Sequence, residues 1–184
     1  MKEKITYQGR IIEVVEFDGG NGKTFEKARR APGSRLIIVS AEGQILITKE
    51  HRHELEQVDL RLPGGKVYDT LTEYNEALKD KTDIAESAKA GAIKEAAEET
   101  GLTIKNPELI TVATAGATVD WDLYYFIVRE YRELPTGQQL EHGEDIEVTW
   151  MSPKQIRLAI AGGQMQEWRS VGVLLGKVLP ELEG

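Results

Sequence analysis

A segment in the middle of the chain constrains the fold more than any other part of the sequence. It begins with Asp83, a favoured helix N-cap, and ends with Gly101, a favoured residue just past a helix C-terminus. Between them, alanines recur at spacings of three and four residues, which places them on one narrow helix face: Ala85, Ala88, Ala92 and Ala96. Because small side chains allow close approach, the sequence predicts a helix over residues 84–100 that packs on a β-sheet.

Short runs rich in β-branched residues, bounded by Gly, Pro and Asn, predict strands on both sides of this helix. These strands cover residues 9–17, 23–30, 35–40, 44–49, 108–114, 122–129 and 145–150. We expect the first two to form one hairpin and the next two to form a second, more apolar hairpin. Further helices are predicted at residues 71–79, 152–162 and 171–179, the last of them ending at Pro180. Strands mixed with helices indicate a fold of the α/β (α+β) class.

The charge balance limits the kinds of partner. Asp and Glu outnumber Lys and Arg by 31 to 23 in 184 residues, for a formal net charge of −8. A chain this acidic lacks the basic face that binding to nucleic acid or an anionic membrane surface needs, so neither partner is expected. No cysteine is present, which excludes disulfides and thiolate metal sites and suits a reducing compartment. We therefore expect a cytoplasmic location.

Three carboxylates crowd one sector of the predicted helix near its C-terminus. At 100° per residue, Glu95 and Glu99 lie about 40° apart and Glu98 lies about 60° from Glu95. Like charges at helical neighbour spacing repel one another, and the helix dipole disfavours anions at this end. A bound divalent cation would relieve both effects, and oxygen ligands suit Mg²⁺ or Mn²⁺. The alternative is an acidic helix face that is simply solvated.

The spacing of these residues resembles the Nudix box. That pattern runs Gly, five residues, Glu, seven residues, Arg-Glu, an apolar residue, any residue, Glu-Glu, any residue, Gly and an apolar residue. From Glu86 to Leu102 the chain matches every fixed position except one, where Lys94 replaces the Arg. Lys94 lacks the two-pronged fork with which Arg holds a carboxylate. A second departure is an insertion, because residues 66–85 separate Gly65 from Glu86 where the family has only five residues.

The resemblance extends over nearly the whole chain and is closest to the group of ADP-ribose and nucleoside diphosphate sugar pyrophosphatases. It implies a Nudix fold, in which a mixed β-sheet lies between helices, over residues 32–184. Residues 1–31 would form a small antiparallel β element that is exchanged across a homodimer. The implied activity is Mg²⁺-dependent cleavage of a nucleotide sugar such as ADP-ribose into a nucleoside monophosphate and a sugar phosphate. The insertion would be a lid, a specificity element or an inert excursion.

The resemblance also implies roles for particular residues. The metal ligands would be the carbonyl of Gly64 and the carboxylates of Glu95, Glu99 and Glu98, with Glu98 also a catalytic candidate. The positions that support the box are Gly65, Glu86 and Lys94. The general base would lie in the loop before the last strand. Glu141 is preferred there, and Glu144 is either the base itself or a metal or outer ligand.

Substrate contacts are implied at residues outside the box. Arg52 would contact the diphosphate region or the terminal sugar, because a guanidinium binds phosphate well. The contacts with the nucleoside would come from Phe25, Lys27, Arg30 and Trp121. For Trp121 the alternative is core packing, which is slightly favoured, and for Arg52 it is an ordinary surface position. A zinc site made by His51, His53 and His142 is disfavoured, because no other zinc signature is present.

The box recognises a diphosphate and not the groups attached to it, so other substrates stay open. They are GDP-mannose, UDP-glucose, NADH and dinucleoside polyphosphates. A non-catalytic Nudix module that binds a nucleotide is a further alternative, supported by Lys94 and the insertion. An enzyme of the isopentenyl-diphosphate isomerase type is disfavoured, because the cysteine of its common form is absent.

Overall fold

The structure is a computed structural model that describes residues 3–52, 56–140 and 142–184. Its strands are β1 (Glu3–Gln8), β2 (Glu13–Asp18), β3 (Thr24–Arg29), β4 (Gly33–Ile38), β5 (Ile45–Arg52), β6 (Gln57–Arg61), β7 (Leu102–Lys105), β8 (Glu108–Ala113), β9 (Val119–Asp120), β10 (Leu123–Val128), β11 (Glu130–Glu133) and β12 (Ile146–Met151). Its α-helices are α1 (Leu71–Asp80), α2 (Ile84–Thr100), α3 (Pro153–Ala161), α4 (Trp168–Val173) and α5 (Leu179–Glu183). A π-helical segment, Leu174–Val178, joins the last two.

A mixed sheet lies at the centre of the molecule. Strand β10 pairs in parallel with β4 on one side and antiparallel with β8 on the other. One face of this sheet packs on α2, and the other packs on α3, α4 and the π-helical segment. A second, antiparallel sheet has the order β12-β5-β6, and β7 pairs with β11. The arrangement confirms the predicted mixed sheet between helices.

The predicted hairpin of strands 35–40 and 44–49 is wrong. β4 and β5 belong to different sheets and are joined only by an isolated bridge between Val39 and Ile45. All six residues of β4 are buried, so the strand needs cover on both faces and takes β10 as its parallel neighbour. A continuous apolar run shows that a strand is buried, but it does not show which strand is its partner.

The predicted helix over residues 84–100 is confirmed as α2. Asp83 caps it by accepting hydrogen bonds from the amides of Ala85 and Glu86, and Gly101 follows it in the left-handed conformation. The stripe of small residues faces the sheet, since Ala88, Ala92 and Ala96 are fully buried against β4 and β10. The stripe thus brings the acidic end of α2 close to the ends of the strands.

The N-terminal element contains more than the predicted hairpin. Strands β1, β2 and β3 form an antiparallel sheet to which β9 adds in parallel beside β3. β1 was not predicted, because Ile5 and Tyr7 are its only apolar residues and every residue in it is exposed. A buried ion pair between Arg29 and Glu13 lies within this sheet. The division of the chain at residue 31 stays a prediction.

The insertion is built around α1, which confirms the helix predicted at residues 71–79. Thr70 and Glu73 form a capping box at its start. Its buried residues are Leu71, Tyr74 and Ala77. The Asn75 amide donates a hydrogen bond to the buried carboxylate of Glu13 at 3.0 Å, so the insertion contacts the N-terminal sheet.

The C-terminal part follows the prediction except at its end. Ser152 caps α3 in a capping box with Gln155, as expected for the helix at residues 152–162. The last predicted helix was expected to end at Pro180, but helical structure continues to Glu183. Pro180 lies in the first turn of α5, where a missing amide costs nothing. Strands β6, β7, β9 and β11 were not predicted. None of the helices in the described ranges is both long and apolar enough to cross a membrane.

Candidate active site

A cleft of about 290 Å³ opens where α2, the turn after β6, β5 and the loop before β12 meet. The acidic residues in its lining are Glu50, Asp69, Glu95, Glu98, Glu99 and Glu144. The basic residues in its lining are Arg30, Arg35, Arg61, Lys66 and Lys94. The cleft therefore offers both carboxylates that suit a cation and donors that suit an anion.

Two glycines of the turn after β6 lie in contact with two glutamates of α2 in the lining of the cleft. The Gly64 amide donates a hydrogen bond to Oε2 of Glu99 at 2.7 Å. Gly64 has φ of +139°, and a Cβ there would lie 2.3 Å from the backbone oxygen of Ser34. At Gly65 a Cβ would lie 1.7 Å from Oε1 of Glu95. The absence of a side chain therefore lets Gly64 lie against β4 and lets the Glu95 carboxylate lie against Gly65.

The carboxylates in the cleft are poorly solvated. Burial, together with the charges of Glu95 and Glu144, raises the pKa of Glu99 to about 7, against the lowering effects of the Gly64 amide and the Arg35 charge. Burial also raises the pKa of Glu95, with contributions from Glu98 and Glu144. Desolvated like charges that lie close together favour either a proton or a bound cation.

Basic groups also line the cleft. Arg61 pairs with Glu50 at 3.4 Å and with Asp59 at 3.7 Å. The Arg35 Nη1 atom donates to the carbonyl oxygens of Ser34 and Gly64, at 2.8 and 3.0 Å. Sequence reasoning did not find Arg35, Arg61 or Lys66 as cleft residues. For Arg35 the sequence does offer a signal, because a charged residue directly precedes the apolar residues 36–39 of a predicted strand.

Trp121 and Arg30 lie together at the edge of the cleft. The guanidinium carbon of Arg30 lies 4.4 Å from the centre of the Trp121 ring, and that of Arg169 lies 4.1 Å from it. Trp121 is half-buried and packs against the core. The structure thus brings two of the predicted nucleoside contacts, Arg30 and Trp121, into the cleft.

The other predicted nucleoside contacts lie on the N-terminal sheet, outside the lining of the cleft. Phe25 is exposed and stacks on Phe17, with the ring centres 5.9 Å apart. Lys27 pairs with Asp120 at 2.9 Å and with Glu3 at 3.2 Å. Within one chain, neither side chain lines the cleft.

Comparison with known proteins decides the family. The family model described as the NUDIX domain matches residues 29–169, which is most of the chain. The chain belongs to the Nudix family. It is also 26% identical over 152 residues to the ADP-ribose pyrophosphatase of Bacillus subtilis (strain 168), a match that covers 80% of this chain and 74% of that protein.

The Nudix box accounts for the layout of the cleft. Its glutamates come from the last turns of α2 and its glycines from the turn after β6. Lys94, at the box position of Arg, pairs with Glu98 at 3.2 Å and is 68% exposed. Glu86 is exposed in the first turn of α2. The predicted resemblance to a Nudix hydrolase is thereby confirmed.

Some predicted site residues lie outside the described residues. These are Glu141, the preferred base, and His53, and of Arg52 only the backbone, at the end of β5, is described. Glu144, the second candidate base, lines the cleft.

The donor chemistry of this Nudix cleft fits a hard divalent cation. Glu95, Glu98, Glu99 and the Gly64 carbonyl supply only oxygen donors, and the first and third of these groups are desolvated. In the described parts of the chain no three His, Cys, Asp or Glu side chains form a closed metal-binding group. Mg²⁺ keeps several of its waters in proteins, so carboxylates that do not converge on one point can still hold it.

A Cβ would meet backbone at Gly64 but only a side chain at Gly65, and alanine substitutions test this difference. Gly64→Ala forces a Cβ onto backbone and strains a positive φ, so the free energy of unfolding should fall by about 2 kcal/mol or more. Gly65→Ala meets only the end of the Glu95 side chain, which can rotate away, so the loss should stay below about 1 kcal/mol. Urea denaturation followed by circular dichroism measures both. Equal losses would contradict the difference between the two positions.

Proposed function

We propose that this Nudix hydrolase cleaves the diphosphate of a nucleoside diphosphate sugar such as ADP-ribose. The products would be a nucleoside monophosphate and a sugar phosphate. The observation that carries the proposal is that Glu95, Glu98 and Glu99 line the same cleft as Arg61 and Lys66. The similarity to a bacterial ADP-ribose pyrophosphatase supports the choice of substrate class. A cytoplasmic location, inferred from the absence of cysteine, belongs to the same proposal.

The carboxylates of α2 and the Gly64 carbonyl would hold Mg²⁺, or alternatively Mn²⁺. When bound, such ions neutralise charge on the diphosphate and lower the pKa of water. Two basic residues of the cleft, Arg61 and Lys66, would orient the phosphates by charge-assisted hydrogen bonds. Arg30 and Trp121 would contact the nucleoside or sugar at the edge of the cleft. Arg52 would contact the diphosphate region or terminal sugar.

The proton of the attacking water would pass to a glutamate in the loop before β12. We keep Glu141 as the proposed base and Glu144 as an outer or metal-binding group. The charge of Glu144 raises the pKa of both Glu95 and Glu99, so the loop brings acidic groups near the end of α2. A general base must lie close to the reacting water, and this loop borders the cleft.

The activity can be tested with a panel of ADP-ribose, GDP-mannose, UDP-glucose, NADH and a dinucleoside polyphosphate. We expect Mg²⁺-dependent release of nucleoside monophosphate, most rapidly from ADP-ribose. Glu99→Gln should lower kcat/KM by about 100-fold or more, because a carboxylate donor to the metal is lost. Chromatographic analysis of the products measures both results.

The matched control for this experiment is Glu130→Gln, which changes an exposed acid outside the cleft and should leave turnover unchanged. If the wild-type protein binds nucleotides but turns over no diphosphate, the chain is a non-catalytic Nudix module. Full activity of Glu99→Gln would remove Glu99 from the metal site.

The two candidate bases can be separated by kinetics. Glu141→Gln should lower kcat by about 100-fold or more, the range typical of a lost general base, while Glu144→Gln lowers it by about 10-fold. Glu147→Gln is the control, because Glu147 is 70% exposed and pairs with Lys49. Equal, mild losses at both positions would place the base elsewhere, and the reverse order would assign it to Glu144.

We also propose that the chain forms a homodimer through its N-terminal sheet. Apolar side chains are exposed on this sheet and on the turn after β1, and they include Ile5, Tyr7, Ile11, Ile12 and Phe25. A second copy that covers them would remove apolar surface from water. If the sheets are exchanged, Phe25 and Lys27 would reach the partner's cleft rather than their own.

Light scattering of a chain that lacks residues 1–31 tests the proposed dimer. We expect the truncated chain to be monomeric, with weakened turnover of ADP-ribose. Tyr7→Lys, at a residue that is 61% exposed, should weaken the dimer without unfolding the chain. A truncated chain that stays dimeric and active would refute the exchange of this element.

A further inference from the structure

Arg35 is a buried cation without a carboxylate partner in the part of the chain that the structure describes. It lies on β4 beside Tyr125 of β10, and only 6% of its surface is exposed. Within the described residues no carboxylate lies close enough to form an ion pair with it, and its Nε atom has no hydrogen-bond partner. A buried charge without a partner is costly, so its retention needs a reason.

The contacts of Arg35 point to the turn at Gly64. The backbone amide of Ser34 donates to the Gly65 carbonyl at 2.9 Å, and that of Leu36 donates to the Pro63 carbonyl at 2.8 Å. The carbonyl between them, that of Gly64, accepts from the side chain of Arg35 at 3.0 Å. Three successive residues of β4 therefore hold three successive carbonyls of the turn, and Arg35 supplies the middle contact.

The Gly64–Gly65 turn also contacts two glutamates of α2, Glu99 and Glu95. The Gly64 amide donates to Glu99 at 2.7 Å, while Gly65 leaves the space that the Glu95 carboxylate fills. A continuous path of contacts thus runs from the Arg35 guanidinium through the Gly64 peptide to the Glu99 carboxylate. Burial and the nearby charge of Arg61 lower the pKa of Arg35, whereas the charge of Glu99 acts to raise it.

The lysine of the Nudix box makes a different contact. Lys94 is largely exposed and pairs with Glu98 one helical turn away. The guanidinium beneath the turn comes instead from β4, on the face of the sheet opposite to α2. Both of its hydrogen bonds, to the Ser34 and Gly64 carbonyls, come from one nitrogen, Nη1, which the planar guanidinium holds more rigidly than a flexible lysine stem holds its ammonium.

We propose that Arg35 is a positioning residue that fixes the Gly64 turn, and through it Glu99, in the geometry needed for hydrolysis. The proposal deepens the proposed function and rests on it. Arg35 would touch neither the substrate nor the reacting atoms. Its loss should therefore lower kcat and loosen the turn, with little effect on KM.

The test compares Arg35→Met and Arg35→Lys with the wild-type chain. The first readout is hydrogen exchange of the Gly64 amide by NMR, which Arg35→Met should accelerate by about 10-fold, because a charge-assisted contact is lost. The second is steady-state turnover of ADP-ribose, in which kcat should fall by about 10-fold while KM changes by less than about 3-fold. Arg35→Lys keeps the charge and a donor nitrogen, so both effects should be smaller.

Arg29→Met is the matched control, because Arg29 is also an arginine with 6% exposure but lies in the N-terminal sheet. It should weaken the fold without selective change at Gly64. Faster exchange throughout the chain in Arg35→Met would show a merely structural role and overturn the proposal. Unchanged exchange at Gly64 would overturn it as well, as would a raised KM at constant kcat, which would make Arg35 a substrate contact.

The two readouts, hydrogen exchange and turnover, distinguish a failure of this proposal from a failure of the proposed function. If the wild-type chain turned over no diphosphate, the proposed function would fail, and hydrogen exchange would still show whether Arg35 holds the turn. If the wild-type chain were active and Arg35→Met matched it in kcat and in Gly64 exchange, only the role of Arg35 would be wrong.

Discussion

The close approach of the Gly64–Gly65 turn to α2 is the contact on which the candidate site depends. A side chain at Gly65 would occupy the place of the Glu95 carboxylate, and one at Gly64 would meet the backbone of β4. The approach also needs the alanine stripe of α2, because larger side chains would hold the helix further from the sheet. The turn approaches closely because its residues are glycines, and α2 approaches closely because its buried face is made of alanines. Together they let the carboxylates of α2 lie against the backbone of the turn.

This geometry explains how an acidic chain can act on an anionic substrate. Residues 83–99 hold five acids and two bases, and residues 129–147 hold six acids and two bases. These segments therefore contain seven of the eight excess negative charges. Glu95, Glu98 and Glu99 of the first segment and Glu144 of the second line the same cleft. A bound divalent cation would invert the local sign of charge there, so the net charge of −8 does not conflict with a diphosphate substrate.

The parts of the fold that could be predicted are those with a local signal. α2 has a cap at each end and a stripe of one residue type, and the spacing of its glutamates is fixed by the helix itself. β1 could not be predicted, because its alternation is limited to Ile5 and Tyr7, which is too short a pattern to distinguish a strand from a loop. The pairing of β4 with β10 rather than β5 depends on residues about 90 positions apart, which no local pattern records. The contact of Arg35 with Gly64, from which its role is proposed, joins residues 29 positions apart and leaves no local pattern in the sequence.

The contacts of the insertion argue against an inert excursion. Lys66 and Asp69 at its start line the cleft, while α1 buries Leu71 and Tyr74 and reaches Glu13 of β2 through Asn75. Glu13 is fully buried and already paired with Arg29, so Asn75 satisfies the second oxygen of a carboxylate that would be costly to leave without a donor. One segment therefore connects the cleft with the N-terminal sheet. An excursion in solvent would make neither contact, so the insertion is part of the structure that surrounds the cleft.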